Sequence, residues 1–382
     1  MQLIPIASGK GGVGKSLLSA NLAIALGQAD KRVVLADLDL GASNLHLVLG
    51  QQLSGVSIGT WVTEKTDFDE IIAPTDYKNV RFIAGDSQIP GLTALKTFQV
   101  KKLIKCLSAI DADYVIIDLG AGTHRIILDL FLLSPQGIIV SAPTVTATLN
   151  GYLFLKNAVF RLLYTTFKRG TPGFAKLEEL RKDAATMQKL YIPELVETLH
   201  GVDPQNTALF ENRMAQLRPR LVINMIDDPK DADRAQRIRH SCTQYLGLEI
   251  EHLGVIYRDM LQDKALSSRL PIIKYKPQSV LSQAIYRIAE KVMSAETRSW
   301  DAAYVPVETD TDFSFQMAEE EASDSFAFRM SGINDLVGSG TLSIGELAEV
   351  IRAQQYELTQ LKKENILLKS KLVKAAQQGF KI

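Results

Sequence analysis

Cysteine is scarce in this sequence. Among its 382 residues only Cys106 and Cys242 occur, and they are far apart. Two isolated cysteines without a C-x-x-C spacing argue against a disulfide framework and favour reduced thiols in the core of a cytoplasmic protein.

Long apolar runs and an excess of either charge are also absent. No run approaches the ~20 apolar residues that span a bilayer, and 43 Lys and Arg residues balance 43 Asp and Glu residues. The composition therefore predicts no membrane-spanning helix and no overall field that would attract a polyanion. Hydrophobic residues make up 46% of the chain, which is ample for the core of a large α/β domain.

A glycine-rich loop near the start is the most informative feature that is present. The phosphate-loop pattern G-x-x-x-x-G-K-[ST] is matched by Gly9, Lys10, Gly11, Gly12, Val13, Gly14, Lys15 and Ser16. An apolar run from Leu3 to Ala7 precedes the loop, and a helix-like stretch from Leu17 to Leu26 follows it. This setting predicts strand, loop and helix, and its closeness to Met1 leaves no room for a signal peptide.

The residue types of the loop suit a nucleoside triphosphate. Glycines let backbone N–H groups turn around a phosphate, and the helix start at Leu17 presents its positive end to the same anion. The pattern places Lys15 on the β- and γ-phosphates and the Ser16 hydroxyl among the ligands of Mg²⁺.

Carboxylates follow two further apolar runs. Asp37 and Asp39 end the first run two residues apart, on the same side of an extended chain. Asp118 ends the second run. The residue after it is Leu119 and not a glutamate, so this position cannot supply the catalytic base of an ATPase. At the carboxyl ends of parallel strands beside a phosphate loop, such groups can hold Mg²⁺ through water and orient an attacking water.

Taken together, SGKGGVGKS, DLDLGASN and DYVIIDLGAG resemble the deviant phosphate-loop ATPases of the MinD/ParA family, most closely its flagellar-number branch (the FlhG/FleN group). The resemblance covers residues 2–293. It implies that Lys10 reaches the nucleotide of a partner subunit in an ATP-sandwich dimer, that Asp39 positions the hydrolytic water, and that Asp118 is the Walker B acid.

The same resemblance suggests how the base is recognised. In the family, an asparagine at the place of Asn224 contacts adenine, and the segment after the last strand, which begins at Tyr257, walls the base. ATP rather than GTP is implied by the resemblance alone.

The pattern of apolar runs predicts the fold class. Strands are expected near Leu3, Val33, Val80, Tyr114, Gly137, Leu221 and Leu253, alternating with helical stretches. We therefore predict an α/β fold, a mostly parallel, doubly wound P-loop NTPase sheet with a helical insertion at about 168–220. Pro5 lacks a ladder donor and is expected at the first paired position of its strand.

Composition changes sharply after the predicted ATPase domain, residues 1–297. Residues 301–324 hold eight Asp or Glu and no Lys or Arg, which predicts a flexible acidic linker over 298–341. Residues 342–376 then form a predicted coiled-coil helix, followed by a tail over 377–382. The heptads of the coiled-coil helix place Ile351, Leu358, Asn365 and Leu372 at a, and Leu347, Gln354, Leu361 and Leu368 at d.

The heptad charges favour a parallel homodimer, since acidic g positions face basic e positions. Two alternatives stay open, a single amphipathic helix packed on the core and a membrane-surface helix. The charges flank the seam on both sides, so we expect no stable membrane anchor.

The predicted activity is an ATP-hydrolysing dimerisation switch that controls the number or position of a polar assembly through a regulatory protein partner. Two rivals remain, a partitioning ATPase that binds nonspecific DNA and a metabolic ligase of the same superfamily. DNA binding would need a basic face, which Arg234, Arg237, Arg239, Arg258, Lys264 and Arg269 could supply. An iron protein that transfers electrons would need cysteines beside the switches, where neither Cys106 nor Cys242 falls.

Overall fold

The computed structural model describes residues 1–40, 43–52, 55–63, 66–86, 95–182, 191–295, 300 and 311–338. Within these residues the fold is built on one sheet of eight strands with the order β3-β4-β2-β5-β1-β6-β7-β8. The strands are β1 (Gln2–Ala7), β2 (Val33–Leu38), β3 (Ile72–Pro74), β4 (Val80–Ile83), β5 (Tyr114–Leu119), β6 (Ile138–Ser141), β7 (Arg220–Ile226) and β8 (Glu251–Tyr257).

All neighbouring strands run parallel except β3, which pairs antiparallel with β4 at the sheet edge. The seven strands expected from the apolar runs are confirmed, and the fold class with them. β3 was missed because its three residues, Ile-Ala-Pro, are too few to show a period.

Pro5 lies inside β1 and pairs with Ile117 of β5. The expectation that Pro5 is the first paired residue of its strand is therefore wrong for the pairing with β5. The N–H of Gln2 donates to the carbonyl of Asp113 before β5, so alternate residues of β1 direct their N–H groups toward β5. Pro5 falls in the other set, which faces β6, and β6 pairs with β1 only from Ile6 onward. The missing donor therefore costs no ladder hydrogen bond.

Helices surround the sheet in two groups. On one side α1 (Lys15–Gln28) packs against α2 (Leu45–Leu49) and α13 (Val280–Ser294), and on the other α6 (Val145–Thr166) packs against α5 (Arg125–Phe131) and α10 (Asp233–Leu246). The strands between them are almost wholly buried. All six residues of β2 are buried, which is typical of a parallel sheet covered on both faces. The remaining short helices are α3 (Ile58–Val62), α4 (Thr97–Ser108), α11 (Leu261–Ser267) and α12 (Ile272–Tyr275).

The predicted insertion is helical where it is described. It holds α7 (Pro172–Arg181), α8 (Ile192–Val202) and α9 (Pro204–Gln216). Pro172 and Pro204 each stand at the start of a helix, where the missing N–H is harmless. Thr171 and Asp203 cap these two helices by accepting hydrogen bonds from first-turn N–H groups.

The prediction of a flexible linker over 298–341 is wrong for residues 311–338, which form one helix, α14 (Thr311–Gly338). Its first half buries an apolar stripe of Phe315, Ala318 and Ala322. Its acidic groups meet bases of the core, since Lys291 Nζ lies 2.8 Å from Glu321 Oε1 and Arg239 pairs with Asp312. Composition alone predicted disorder because the basic partners lie elsewhere in the chain.

This half of α14 covers β8, the strand at the sheet edge. The backbone N–H of His252 donates to Ser314 Oγ at 3.2 Å, and the Tyr257 hydroxyl donates to the Ala322 carbonyl at 2.8 Å. An edge strand with unpaired backbone groups invites association with other chains, and α14 removes part of that exposure.

The chain divides into two compact units, Met1–Ser325 and Phe326–Ile382, and α14 crosses the boundary. Of the second unit only the end of α14 is described. The coiled-coil helix at 342–376 and the tail at 377–382 lie outside the described residues and stay predictions. No helix in the described part of the chain is both long and apolar enough to cross a membrane.

Candidate nucleotide site

The glycine-rich loop leaves β1 and enters α1 with the conformation that its glycines allow. Gly12 has φ of 78° and Gly14 has φ of 82°, in the left-handed region that favours glycine. Gly14 is the N-cap residue directly before α1, and no side chain in the described part of the chain caps the first turn. The N–H groups at the start of this 14-residue helix are thus available to an anion.

Neighbouring elements touch the loop at two other points. A Cβ atom on Gly9 would lie 2.0 Å from the backbone oxygen of Asn150 in α6, and one on Gly14 would lie 2.1 Å from the Asn224 side-chain nitrogen. The Asn224 amide donates to the carbonyl of Val13 at 2.8 Å and so fixes the loop to the end of β7. Contacts with α6 and with the end of β7 therefore hold the loop in shape.

Lys15 joins the phosphate loop to both carboxylate strands. Its ammonium, only 6% exposed, donates to Asp118 Oδ1 at 2.8 Å and lies 3.8 Å from Asp39 Oδ2. Because β2 and β5 are parallel neighbours in which Asp37 pairs with Asp118, their carboxyl ends meet at this point. The structure thus brings the predicted residues together.

Asp118 has one oxygen in use and one free. Ser19 Oγ also donates to Oδ1, at 2.9 Å, whereas Oδ2 is buried and has no partner among the described residues. A buried carboxylate oxygen without a donor is costly unless a ligand or water meets it. The oxygen is thus available to a ligand, as the predicted role of Asp118 near Mg²⁺ requires.

Asp37 is engaged differently from Asp39. Its oxygens accept hydrogen bonds from Ser43 Oγ at 2.7 Å, from the Leu45 N–H at 3.2 Å and from the Asp39 N–H at 3.1 Å. Asp37 is wholly buried, whereas the Asp39 side chain is 29% exposed. Asp37 therefore holds the segment after β2 in shape, and Asp39 is the carboxylate that faces outward.

The cluster is electrostatically suited to a divalent cation. Burial, assisted by the charge of Asp118, raises the pKa of Asp37 to about 6, and burial also raises the pKa of Asp39 against the opposing effect of Lys15. Asp39 and Asp118 share one ammonium and Asp37 pairs in register with Asp118, so a cation would relieve the repulsion among the three carboxylates. Asp118, whose Oδ2 has no partner among the described residues, could hold Mg²⁺ directly or through water, and the role of Ser16 as a ligand stays a prediction. The described residues contain no cluster of His, Cys, Asp and Glu that would hold the ion alone.

Lys10 is exposed on the outer side of the loop, where its ammonium donates to Thr146 Oγ1 at 3.1 Å. Thr146 lies in the first turn of α6, away from Lys15. The two lysines of the loop therefore have separate surroundings, one buried among carboxylates and one at the surface. The predicted contact of Lys10 with a partner's nucleotide stays a prediction.

The two predicted base-binding residues differ. Asn224 lies against the loop as described, and its oxygen accepts from the Met225 N–H at 2.9 Å, so its amide already holds two backbone groups and its contact with a base stays a prediction. Tyr257 is 1% exposed and its hydroxyl is bonded to Ala322 of α14. The expectation that Tyr257 walls a nucleotide base is therefore wrong, because α14 occupies the space beside it.

Sequence reasoning missed the residues that orient the predicted ones. Ser19 binds Asp118, Ser43 binds Asp37 and Thr146 receives Lys10. The spacing from Lys15 to Ser19 is one helical turn and could have suggested the first contact. The other two contacts depend on how loops fold back and leave no local signal.

The basic residues that a DNA interface would use are partly engaged within the chain. Arg239 lies 4.8 Å from the Phe315 ring and pairs with Asp312, and Arg258 Nε lies 3.8 Å from Asp227 Oδ1. The acidic half of α14 thus covers part of that surface, which weighs against the DNA-binding alternative.

Comparison with known proteins agrees with the site. A protein-family model described as "ParA: NUBPL iron-transfer P-loop NTPase" matches residues 1–152. The septum site-determining protein MinD of Helicobacter pylori is 37% identical over 147 residues, which is 38% of this chain and 54% of MinD. The chain thus spans about half the length of that relative.

A second relative is matched over more of its length. The flagellum site-determining protein YlxH of Helicobacter pylori is 26% identical over 301 residues, which is 77% of this chain and 82% of YlxH. Among solved structures, MinD of Pyrococcus horikoshii in complex with Mg-ADP superposes with a TM-score of 0.52 at 21% identity, over 77% of this chain and 96% of that one. The structural likeness shows a shared fold.

Proposed function

We propose that this chain, which belongs to the ParA/MinD family of P-loop NTPases, is a cytoplasmic, ATP-hydrolysing dimerisation switch. ATP would hold two subunits together at a shared site, and hydrolysis would release them. Through a regulatory protein partner, the switch would set the number or position of a polar assembly such as the flagellum. The similarity to YlxH, a flagellum site-determining protein, supports this choice of assembly.

One observation carries the proposal, the meeting of Lys15 with Asp118 and Asp39 beneath a glycine loop whose helix start is uncapped. Bound Mg²⁺·ATP would supply the cation and the phosphoryl group. Lys15 would then exchange its carboxylate contacts for phosphate oxygens, and the Asp118 oxygen that now lacks a donor would accept a hydrogen bond from metal-bound water.

Asp39 is the group we assign to the attacking water. It is the most exposed of the three carboxylates, it lies beside Gly120 after β5, and burial raises its pKa. A carboxylate in this position can orient water and accept its proton. Lys10, on the outer side of the loop, is free to meet the nucleotide of a second subunit once it leaves Thr146.

Paired substitutions test the chemistry. Lys15→Ala should abolish binding of Mg²⁺·ATP, because the buried cation that neutralises phosphate is lost. Asp39→Ala should retain binding and lose turnover. Binding is measured by calorimetry and turnover by phosphate release, with GTP as a competitor to test base selection. Hydrolysis by Asp39→Ala at the parental rate, or no ATP binding by the parent chain, would refute the assignment.

A further inference from the structure

A cationic groove lies outside the nucleotide site, between α5, α6 and α7. It has a volume of about 600 Å³, and its lining includes Arg125, Arg161, Tyr164, Arg169, Phe174 and Arg181. Nothing in the proposed ATPase chemistry uses these residues. We call this feature the α5–α7 groove.

Arginines dominate its charge. Arg161 Nη2 donates to Asp129 Oδ2 at 3.0 Å and Arg125 Nε lies 3.8 Å from the same carboxylate, while Arg181 Nη1 lies 3.4 Å from Glu178 Oε1. Arg169 makes no ion pair within the described residues. Four guanidinium groups therefore line the groove with one carboxylate, Glu178, while Asp129 pairs with two of the arginines without lining the groove itself.

The groove also offers aromatic surface and a hydroxyl. Tyr164 and Phe174 meet edge to face with ring centroids 6.5 Å apart, and both line the groove with Phe160. The Tyr164 hydroxyl is buried and has no hydrogen-bond partner among the described residues. A buried hydroxyl without a partner is unfavourable, so a ligand acceptor would satisfy it.

This combination fits one class of partner. Guanidinium groups bind carboxylates with paired hydrogen bonds, and aromatic rings bury an apolar side chain between them. A nucleic acid would need a longer basic track than this groove, whose lining also carries Glu178. We propose that the α5–α7 groove binds an acidic peptide segment of a regulatory partner, with carboxylates on Arg169 and Arg181 and an apolar side chain on Tyr164 and Phe174.

The position of the groove gives such binding a consequence, which rests on the proposed function. Thr123, at its edge, follows Gly122, whose N–H donates to the carbonyl of Ser8 at the base of the phosphate loop, at 3.1 Å. Asp118 lies at the end of the strand just before this turn. A peptide that joins α5 to α7 would thus act on the segment between the Walker B acid and α5, and would change the rate of ATP turnover.

A peptide selection tests the groove directly. A random dodecapeptide library is panned on the full chain, and selected peptides are labelled with fluorescein and titrated by anisotropy with and without Mg²⁺·ATP. We expect sequences rich in Asp and Glu around one aromatic or aliphatic residue. Arg169→Glu with Arg181→Glu should weaken their binding at least tenfold, and Tyr164→Phe should weaken it about threefold.

Lys101→Glu with Lys105→Glu, two exposed lysines of α4, makes the same change in net charge elsewhere and should leave affinity within twofold of the parent. Selection of no acidic sequences, equal affinity for the groove variant, or stronger binding of an oligonucleotide than of the selected peptides would overturn the proposal. Peptide binding without turnover would leave the groove standing and refute the proposed ATPase, whereas turnover without peptide binding would do the reverse.

Discussion

Single atoms decide which glycines of the phosphate loop can be replaced. All four loop glycines look alike in the sequence, yet their surroundings differ in the fold. Gly9 faces the backbone of α6 and Gly14 faces Asn224, whereas a Cβ atom on Gly11 would meet only the Ala121 methyl, at 4.0 Å. Backbone neighbours cannot move aside as side-chain ends can, so Gly9 has the strictest requirement.

Gly9→Ala should therefore destabilise the chain even without nucleotide. Its Cβ would lie 2.0 Å from the Asn150 oxygen, and overpacking of this kind costs typically about 1–3 kcal/mol. Gly11→Ala is the matched control, since its site has room and its φ is not in the left-handed region. The free energy of unfolding in urea measures both. A loss of stability that is equal in the two variants would show that α6 does not press on the loop.

The sequence predicted the reacting groups of the site but not the side chains that hold those groups in position. Lys15, Asp39 and Asp118 follow apolar strands within fixed patterns, so parallel pairing brings them together. Ser43 reaches Asp37 only because the chain folds back after β2, and no period or spacing in the sequence indicates that return. Tyr257 was misassigned because nothing in its own strand indicates that a helix starting 54 residues later covers it.

At the scale of helices and strands, α14 shows why composition failed to predict a helix over residues 311–338. A stretch with eight acidic residues and no basic ones was predicted to be flexible, but Phe315, Ala318 and Ala322 recur at helical spacing and are buried. The charges that would repel each other in isolation meet Arg239 and Lys291 of the core. The three-residue strand β3 was missed for a related reason, since its stability comes from pairing with β4.

The contact of α14 with β8 includes a buried histidine. The His252 ring lies 5.0 Å from that of Phe315, and neither of its nitrogens has a partner among the described residues. Burial, with the nearby charge of Lys291, lowers the pKa of His252 to about 3 from the ordinary 6.5. Between these values the unfolded chain binds a proton that the folded chain excludes, so stability falls as the pH falls.

From pH 7 to pH 5 this histidine alone should remove about 2 kcal/mol from the free energy of unfolding. His252→Leu places an apolar side chain under Phe315 that cannot bind a proton. Between pH 7 and pH 5 its free energy of unfolding should therefore fall by about 2 kcal/mol less than that of the parent. His240→Gln, which changes a histidine outside this contact, should behave like the parent. Urea unfolding of the three chains at pH 7 and pH 5 measures these free energies. An acid response unchanged by His252→Leu would mean that His252 is not excluded from protonation.

For the molecule as a whole, the heptads over 342–376 predict that two chains stay associated throughout the cycle. Nucleotide would then control whether the ATPase cores close, without changing the number of subunits. A tether of this kind replaces a bimolecular encounter by one at an effective concentration of up to roughly millimolar. The heptads lie outside the residues that the structure describes, so this prediction depends on the sequence.

Leu361→Pro tests the tether. Proline at a central d position breaks the helix, costing ~3 kcal/mol or more, so the full chain should become monomeric without nucleotide. The parent should be dimeric with and without ATP. Lys363→Ala, at an f position facing away from the seam, is the control and should remain dimeric. Light scattering gives the mass. A parent chain that is monomeric without ATP would refute the homodimeric coil and favour a coil with a different partner.

Whether ATP joins two cores through Lys10 is best decided by sedimentation of the Leu361→Pro chain with Mg²⁺ and a nonhydrolysable ATP analogue. We expect a dimer with the analogue and a monomer without it. Adding Lys10→Ala should keep nucleotide affinity within about threefold, since Lys10 lies outside the buried cluster, and should leave the chain monomeric, whereas Lys101→Ala should still dimerise. Equal analogue-dependent dimerisation with and without the Lys10 side chain would show that the switch does not work through this residue.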